Sequence, residues 1–240
     1  MDYGEQLKLK RFYTPAIYNG LEKLLDTERL EKLCSQDAVT DYMPWMGPMI
    51  GYAVTVKIKP GEKKYAEDGA QRWNEYRSYV ASLPGPKIVM IQDLDKPKAR
   101  GAFWGEVNSN VHKALGCVGS VTDGAVRDLD EIANAGFKVI ADRTCVGHAW
   151  STPVEWGCTV NVFGTDVSPG QLICADKYGF MIIPEECMDR IIDAVEFLDN
   201  NECSTLIRAA RLAQFNGGQG SIGEINRAAR VMGEASGEKF

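Results

Sequence analysis

The spacing of apolar residues predicts alternating strands and helices. Residues 50–58 (IGYAVTVKI) alternate and are rich in β-branched side chains, which is typical of a strand. Ile17, Leu21, Leu24 and Leu25 recur at the spacing of one helix face. The predicted strands are residues 50–58, 87–92, 117–122, 137–141, 158–163, 171–175 and 179–183. The predicted helices lie within residues 1–34, at 68–82, 103–115 and 128–135, and, two or three in number, between 184 and 233.

Turn-forming residues mark the ends of these elements. Thr14-Pro15 has the pattern of an N-cap followed by proline at the first helical position. Residues 35–49 contain two prolines and a glycine and are predicted to be a loop. Gly116 and Gly136 are expected to close the helices before them. Asn216-Gly217-Gly218 is expected to interrupt the C-terminal helices.

The order of the elements predicts one α/β domain with helical ends. Strands and helices alternate through residues 87–141, which is the rhythm of βαβ units in a layered core. From residue 152 onward the pattern becomes β-rich and then helical. We therefore predict an N-terminal helical segment at 1–34, an α/β domain at 35–200 and a C-terminal helical extension at 201–240.

Charge and composition narrow the classes of partner. The chain of 240 residues has a formal net charge of −6 and a composition that is 45% hydrophobic, which is ordinary for a globular protein. This acidic balance argues against a nucleic-acid binder that relies on a broad basic face. A local cationic pocket remains compatible with it.

Cysteine usage indicates a reducing compartment. The seven cysteines are widely spaced, no CxxC occurs, and only two histidines are present, which gives a zinc site poor support. We interpret the cysteines as reduced thiols that act as small core residues. The N-terminal residues are charged and show no signal-peptide pattern, so a cytoplasmic location is expected.

The segment from residue 101 to residue 130 contains the candidate chemistry. Glu106 lies near the start of a predicted helix after a glycine-containing turn, where backbone N–H groups can bind an anion. Arg127 and Asp128 follow a short apolar strand, and ligands of open α/β sheets bind at the carboxyl ends of strands. One helix and one strand separate Glu106 from Arg127, which returns the chain to the same edge of the sheet. The three side chains are therefore expected to face one cleft.

Each of these residues also has a purely structural interpretation. Glu106 in a first helical turn can simply complement the helix dipole. Asp128, three residues before Glu131, can be an N-cap in a capping box. Arg127 can be a surface ion-pair partner that contributes little to stability. Taken singly, none of the three is specific.

Their spacing resembles that of a known family. Twenty residues separate Glu106 from Arg127-Asp128, and the words WGE at 104–106, KALG at 113–116 and TDGAVRD at 122–128 accompany them. In this the chain resembles the class II 4-hydroxy-4-methyl-2-oxoglutarate aldolases, which share a family with the regulators of ribonuclease activity (RraA-like). The resemblance covers roughly residues 12 to 200.

The resemblance implies a fold and a set of roles. The fold would be an α/β/β/α sandwich like the swivelling phosphohistidine domain, assembled as a homotrimer or hexamer with active sites at subunit interfaces. Asp128 would hold Mg²⁺ or Mn²⁺ with help from Glu106, and Arg127 would bind the keto oxygen of a small 2-oxo acid. Backbone amides along Ala102, Phe103, Trp104 and Gly105 would receive the substrate's carboxylate.

The chemistry of these residue types agrees with those roles. A hard cation prefers oxygen ligands, and Mg²⁺ usually keeps several waters. Cleavage of the C3–C4 bond of a 4-hydroxy-2-oxo acid leaves a pyruvate enolate, whose charge a cation and the guanidinium of Arg127 would stabilise. Oxaloacetate loses CO₂ through the same enolate, so decarboxylase activity is expected as a companion.

Some points stay open at the level of sequence. A neighbouring subunit's acidic residue is expected in such enzymes, and Glu196 and Glu202 are the candidates. His148 is either a contact for the outer end of the substrate or merely structural. Four tryptophans either line the pocket or pack in the core, namely Trp45, Trp104, Trp150 and Trp156. The alternative function is a non-catalytic RraA-like regulator that binds ribonuclease E; those regulators lack the carboxylate that Asp128 supplies here.

Overall fold

The computed structural model describes residues 1–215, 217–218 and 221–239. Within these residues the helices are α1 (Tyr3–Leu9), α2 (Thr14–Glu22), α3 (Thr27–Glu31), α4 (Gly69–Ser82), α5 (Glu106–Ala114), α6 (Leu129–Asn134), α7 (Ile191–Ser204), α8 (Leu206–Phe215) and α9 (Ile222–Lys239). The strands are β1 (Thr40–Asp41), β2 (Met49–Ile58), β3 (Lys87–Asp93), β4 (Ala102–Trp104), β5 (Cys117–Val126), β6 (Lys138–Thr144), β7 (Pro153–Trp156), β8 (Val160–Val162), β9 (Thr165–Val167), β10 (Leu172–Asp176) and β11 (Gly179–Ile183).

The centre of the fold is a mixed sheet with the order β1-β6-β5-β3-β2-β10-β11. Strands β2, β3, β5 and β6 run parallel, while β10 pairs antiparallel with β2. The short strand β4 lies parallel to the end of β5, and β7 pairs with the end of β2. Because β4 and β5 are parallel, the residues that follow each of them emerge at the same edge of the sheet.

Apolar side chains are buried on both faces of this sheet. Val89 and Ile91 of β3 lie in a core cluster with buried residues of α4 and α6. Ile88 and Met90 alternate with them and pack against the hairpin of β8 and β9. Burial on both faces explains why β3 is a nearly continuous apolar run. The predicted α/β class with helical ends is confirmed.

A buried lysine fixes the two helices that flank the candidate site. The ammonium group of Lys87 donates hydrogen bonds of 2.8 Å to the carbonyls of Val80 and Leu115, at the C-terminal ends of α4 and α5. A cation at this end of a helix stabilises unpaired carbonyls and the helix dipole. The N-terminal ends of both helices are thereby held over the opposite edge of the sheet.

Long-range contacts explain three of the predicted boundaries that are wrong. The helix predicted at 103–115 begins at Glu106, because residues 102–104 pair with β5. The strand predicted at 117–122 continues to Val126, so Asp123 and Gly124 lie in a strand and not in a loop. Thr14 is the first helical residue and not the N-cap; its hydroxyl donates to the Asp176 carboxylate at 2.9 Å.

The helical ends pack together on one side of the sheet. A Cβ at Gly20 of α2 would lie 2.5 Å from the Val195 side chain of α7, so glycine permits the close approach of these helices. Helix α7 runs across residue 200, and the domain limits stay a prediction. Gly217 and Gly218 form a turn between α8 and α9, as expected, whereas Asn216 lies outside the described residues.

The remaining expectations concern cysteines and membranes. All seven cysteines are free, and Cys117, Cys174 and Cys187 are buried. Burial raises the pKa of the Cys117 thiol to about 12, which keeps it protonated and unreactive. No helix within the described residues is long and apolar enough to cross a membrane.

Candidate active site

A cleft of about 450 Å³ opens where β4 and β5 end. It brings together the three side chains that the sequence singled out, Glu106, Arg127 and Asp128. The predicted amide contributors Ala102, Phe103, Trp104 and Gly105 also line it. The other lining residues are Trp73, Arg77, Val107, Asn108, His148 and Ser151.

Asp128 links the two halves of the site. It lies at the turn from β5 into α6 in the left-handed conformation, with φ 56° and ψ 47°. Its side chain does not cap α6, so the capping-box interpretation does not hold. Instead, Oδ2 accepts a hydrogen bond of 3.2 Å from the backbone N–H of Glu106 at the start of α5. A residue other than glycine in this conformation carries strain, and such strain concentrates at functional sites.

Gly105 leaves the space that this carboxylate occupies. A Cβ at Gly105 would lie 2.6 Å from Oδ2 of Asp128 and 3.3 Å from Nε of Arg127. Its φ of −161° is open to any residue, so the requirement for glycine here is steric and not conformational. Gly101 has a similar role at the other end of β4. A Cβ there would lie 2.4 Å from the carbonyl oxygen of His148.

Arg127 is held at both its backbone and its side chain. Its N–H donates to the carbonyl of Trp104 at 3.2 Å, and Nη1 donates to the carbonyl of Val146 at 3.4 Å. Nε lies 3.7 Å from Oδ2 of Asp128, and both side chains are about one-third exposed. The guanidinium therefore faces the cleft with several donors free for a ligand.

Two backbone amides that border the cleft already donate hydrogen bonds within the protein. The N–H of Ala102 donates to the carbonyl of Gly147 at 3.0 Å, so this amide is not available to a substrate. The N–H of Glu106 is engaged by Asp128. Val107 and Asn108, in the first turn of α5, line the cleft and were not singled out by the sequence. Amides of a first helical turn lack intrahelical partners and suit an anion.

The acidic side chains fit a weakly coordinated hard cation. Asp128 and Glu106 lie in the cleft, and Glu106 is exposed. Among the described residues no group of three or more His, Cys, Asp or Glu side chains is arranged to hold a metal. Two carboxylates are the usual protein contribution to Mg²⁺, whereas zinc needs a fuller set of side chains. The residues present therefore fit Mg²⁺ or Mn²⁺ with water as the remaining ligand.

The glutamates and tryptophans that the sequence left open differ in whether they line the cleft. Glu196 and Glu202 do not line this cleft of their own chain; Glu202 lines a separate groove between α2, α7 and α9. Trp104 lines the cleft, but its ring is fully buried and its Nε1 donates to the hydroxyl of Ser120 at 2.8 Å. The other three tryptophans named by the sequence analysis do not line it. A contribution from a neighbouring subunit stays a prediction.

Two buried polar clusters near the site are structural. The Nδ1–H of His112 donates to the carbonyl of Asn108 at 2.7 Å, its Nε2 lies 3.1 Å from the hydroxyl of Tyr76, and burial lowers its pKa to about 4. Asp123, from the TDGAVRD word, pairs with Lys96 at 3.0 Å and accepts the N–H of Asp93 at 2.7 Å. Neither His112 nor Asp123 lines the cleft.

Sequence reasoning also missed three further residues of the cleft, Trp73, Arg77 and Ser151. Trp73 and Arg77 are four residues apart on α4, which places them on one face of the helix. That spacing is visible in the sequence. The sequence does not reveal that this face borders the ends of β4 and β5, because the contact is between distant segments.

The chain is similar in sequence to proteins of three microorganisms. The chain is 25% identical over 206 residues to an uncharacterised protein of Methanocaldococcus jannaschii, covering 81% of this chain and 83% of that protein. It is 25% identical over 138 residues to a Halalkalibacterium halodurans protein named as a candidate 4-hydroxy-4-methyl-2-oxoglutarate aldolase. The match covers 57% of this chain and 60% of that protein. A match of 23% identity over 147 residues to protein DlpA of Legionella pneumophila spans only 23% of that protein's length.

A solved structure shares the fold. The structure of Streptomyces coelicolor RraAS2, described as an unusual member of the RNase ES inhibitor RraA protein family, matches with a TM-score of 0.66 and 20% identity, covering 85% of this chain and 96% of that one. The predicted fold is confirmed by this likeness. The family model described as RraA-like, Aldolase/RraA, matches residues 21–182, which is more than half of the chain, and the chain therefore belongs to the RraA-like family.

Proposed function

We propose that this protein is a divalent-metal-dependent lyase of the pyruvate aldolase type. Its substrate would be a 4-hydroxy-2-oxo acid such as 4-hydroxy-4-methyl-2-oxoglutarate, with oxaloacetate decarboxylation as a companion activity. The observation that carries the proposal is the junction of Arg127, Asp128 and the start of α5 in one cleft. The aldolase name of the Halalkalibacterium relative supports it.

The cationic and anionic groups of the cleft would have different roles in the reaction. Arg127 would orient the 2-keto oxygen and donate to it as negative charge develops there. The loss of one such donor costs about 3–4 kcal/mol of transition-state stabilisation in well-studied cases. The first-turn amides of α5 would hold the carboxylate next to the keto group. Asp128, assisted by Glu106, would hold Mg²⁺ or Mn²⁺, which when bound supplies Lewis acidity to the same oxygen.

The reaction balances without a further reactant. The 4-hydroxyl loses its proton to a base, the C3–C4 bond breaks, and a carbonyl forms at C4. The electron pair of the broken bond passes to C3 as the pyruvate enolate, which takes up a proton to give pyruvate. For 4-hydroxy-4-methyl-2-oxoglutarate the second product is also pyruvate. Oxaloacetate gives the same enolate when CO₂ leaves.

A pyruvate-release assay tests the proposal. Protein supplied with Mg²⁺ or Mn²⁺ should release pyruvate from either substrate, and EDTA should stop the release until metal is restored. Asp128→Asn keeps the shape of the side chain and removes its charge, and we expect it to abolish activity. Asp130→Asn is the matched control, since Asp130 is exposed on α6 and outside the cleft. Full activity of Asp128→Asn would refute the metal role.

The second candidate is a regulator that binds ribonuclease E without chemistry. The RraAS2 likeness is the observation behind it. A regulator needs a complementary surface. It gains nothing from a strained backbone that places the Asp128 carboxylate beside a guanidinium, so this arrangement favours the enzyme. Absence of pyruvate release from every 4-hydroxy-2-oxo acid, together with inhibition of ribonuclease E, would favour the regulator. We also propose a homotrimer or hexamer, which sedimentation would test.

A further inference from the structure

One cation in the cleft has no role in the chemistry proposed above. Arg77 of α4 lines the same cleft as Arg127 and is half-buried. It forms no ion pair with any residue that the structure describes, and its Nε is buried without a hydrogen-bond acceptor. Its guanidinium carbon lies 5.1 Å from the ring centroid of Trp73. An arginine is commonly held this way by an aromatic face while its donors remain free.

A second unpartnered donor lies in the same cleft. The hydroxyl of Ser151 is buried and has no hydrogen-bond partner among the described residues. Its backbone N–H donates to the carbonyl of His148 at 3.0 Å, which ties Ser151 to the loop that crosses Gly101. Buried polar atoms are nearly always satisfied, so two unsatisfied donors in one cleft indicate a ligand that accepts hydrogen bonds.

The position of α4 separates these donors from the metal-binding residues. The ring of Trp73 stacks on that of Phe103, with centroids 5.1 Å apart, which fixes α4 against β4. Arg77, Arg127 and Asp128 line one cleft, with Phe103 also in its lining. A ligand whose inner end lies at Arg127 and Asp128 can therefore reach Arg77 within the same cleft.

We propose that Arg77, with Ser151, is a specificity-determining residue that binds a carboxylate at the outer end of the substrate. This inference rests on the proposed function for the identity of the inner, 2-oxo acid end. Arg77 would donate two hydrogen bonds to the second carboxylate, as a guanidinium fork does. The enzyme would then prefer 2-oxo diacids over 2-oxo monoacids of the same length.

Binding of two uncleavable probes tests this without turnover. 2-Oxoglutarate carries the outer carboxylate, whereas 2-oxopentanoate has the same chain with a methyl group there. Titration in the presence of Mg²⁺ should give a Kd about 10- to 100-fold lower for 2-oxoglutarate, the effect of a charged hydrogen-bonding pair. Arg77→Met should remove this preference, and Arg77→Lys should restore part of it. Arg72→Met is the matched control, because Arg72 is on the same helix and pairs with Asp68 instead.

Two further results complete the test. Ser151→Ala removes a hydroxyl that bonds nothing in the described residues, so it should leave thermal unfolding unchanged and still reduce the preference several-fold. If wild-type protein binds both probes equally, or neither, or if Arg77→Met keeps the preference, the inference is refuted. If the preference follows Arg77 while no 4-hydroxy-2-oxo acid is cleaved, the proposed function fails and the assignment of Arg77 stands.

Discussion

Replacement of Gly105 by alanine should separate activity from stability. The new Cβ would lie 2.6 Å from Oδ2 of Asp128, whereas ordinary contacts begin near 3.4 Å. The carboxylate oxygen must therefore retreat by about 0.8 Å, the difference between these two distances. The backbone has no reason to move, because φ at Gly105 is −161° and suits alanine.

The two energetic consequences differ in size. Loss of the 3.2 Å bond from the Glu106 N–H to Asp128 removes a half-exposed hydrogen bond to a charged group, worth about 1–2 kcal/mol. Alanine offsets about 0.4–1 kcal/mol of this by restricting the unfolded chain. The net loss in the free energy of unfolding should therefore lie between zero and about 1.6 kcal/mol. A misplacement of about 1 Å in a catalytic group, by contrast, typically lowers the rate about 100-fold.

The prediction for Gly105→Ala is tested by measuring pyruvate release and urea unfolding on the same preparations. Gly105→Ala should lose about 100-fold in kcat/KM while its free energy of unfolding falls by no more than about 1.6 kcal/mol. Gly147→Ala is the control, because it borders the same region and its Cβ would meet no atom within 4 Å. It should keep its activity. If Gly105→Ala were as active as wild type, the position of the Asp128 carboxylate would not matter to catalysis, and the argument from this junction would fail.

Three other predictions follow from single contacts. Asp128→Gly and Asp128→Ala should both be inactive, but the glycine variant should be more stable by about 1 kcal/mol in urea unfolding, because φ is 56° at this position. Arg127→Ala should lower kcat more than it raises KM in steady-state kinetics if the guanidinium acts mainly in the transition state; an equal kcat with a raised KM would assign it to ground-state binding. Burial raises the pKa of Asp93 to about 7, so the folded chain holds a proton that the unfolded chain releases near 3.8, and this carboxyl lowers stability as pH rises between those values. The stability of Asp93→Asn relative to wild type should therefore rise between pH 5 and pH 7, by up to about 1.4 kcal/mol per pH unit, and a difference between the two proteins that is the same at both pH values would contradict the assignment.

Strand β5 shows how far the sequence predicts the fold. Its first half, Cys117 to Thr122, is apolar enough to be recognised as a strand. The second half contains Asp123 and Gly124, which are typical of a turn. Lys96 pairs with the aspartate, and both residues lie at an irregularity of the pairing with β6, after which β4 and β6 pair with Ala125 and Val126. Periodicity describes one segment at a time and does not detect such partners.

The candidate site, like β5, could be predicted from the sequence only in part. Glu106, Arg127 and Asp128 were found because they lie within 23 residues of one another and match a spacing known from a family. Arg77 lies some fifty residues from Arg127, on a helix whose packing the sequence does not specify. Residues close in sequence thus gave the inner half of the cleft. The outer half depends on how α4 docks, which only the three-dimensional structure provides.

The glycines at 101 and 105 connect these two halves physically. Each removes a side chain where β4 is approached by another segment, the loop of His148 at Gly101 and the Asp128 turn at Gly105. A Cβ at either position would push apart the walls that carry the donors of the cleft. Gly101 therefore sets the distance to the Ser151 loop, and Gly105 sets the position of the Asp128 carboxylate. Because Gly101 and Gly105 directly flank the three-residue strand β4, we expect this strand to set the spacing between the inner and outer ends of a ligand. A substrate with its second carboxylate one carbon nearer or farther should then lose affinity through geometry alone, even though its charge is unchanged.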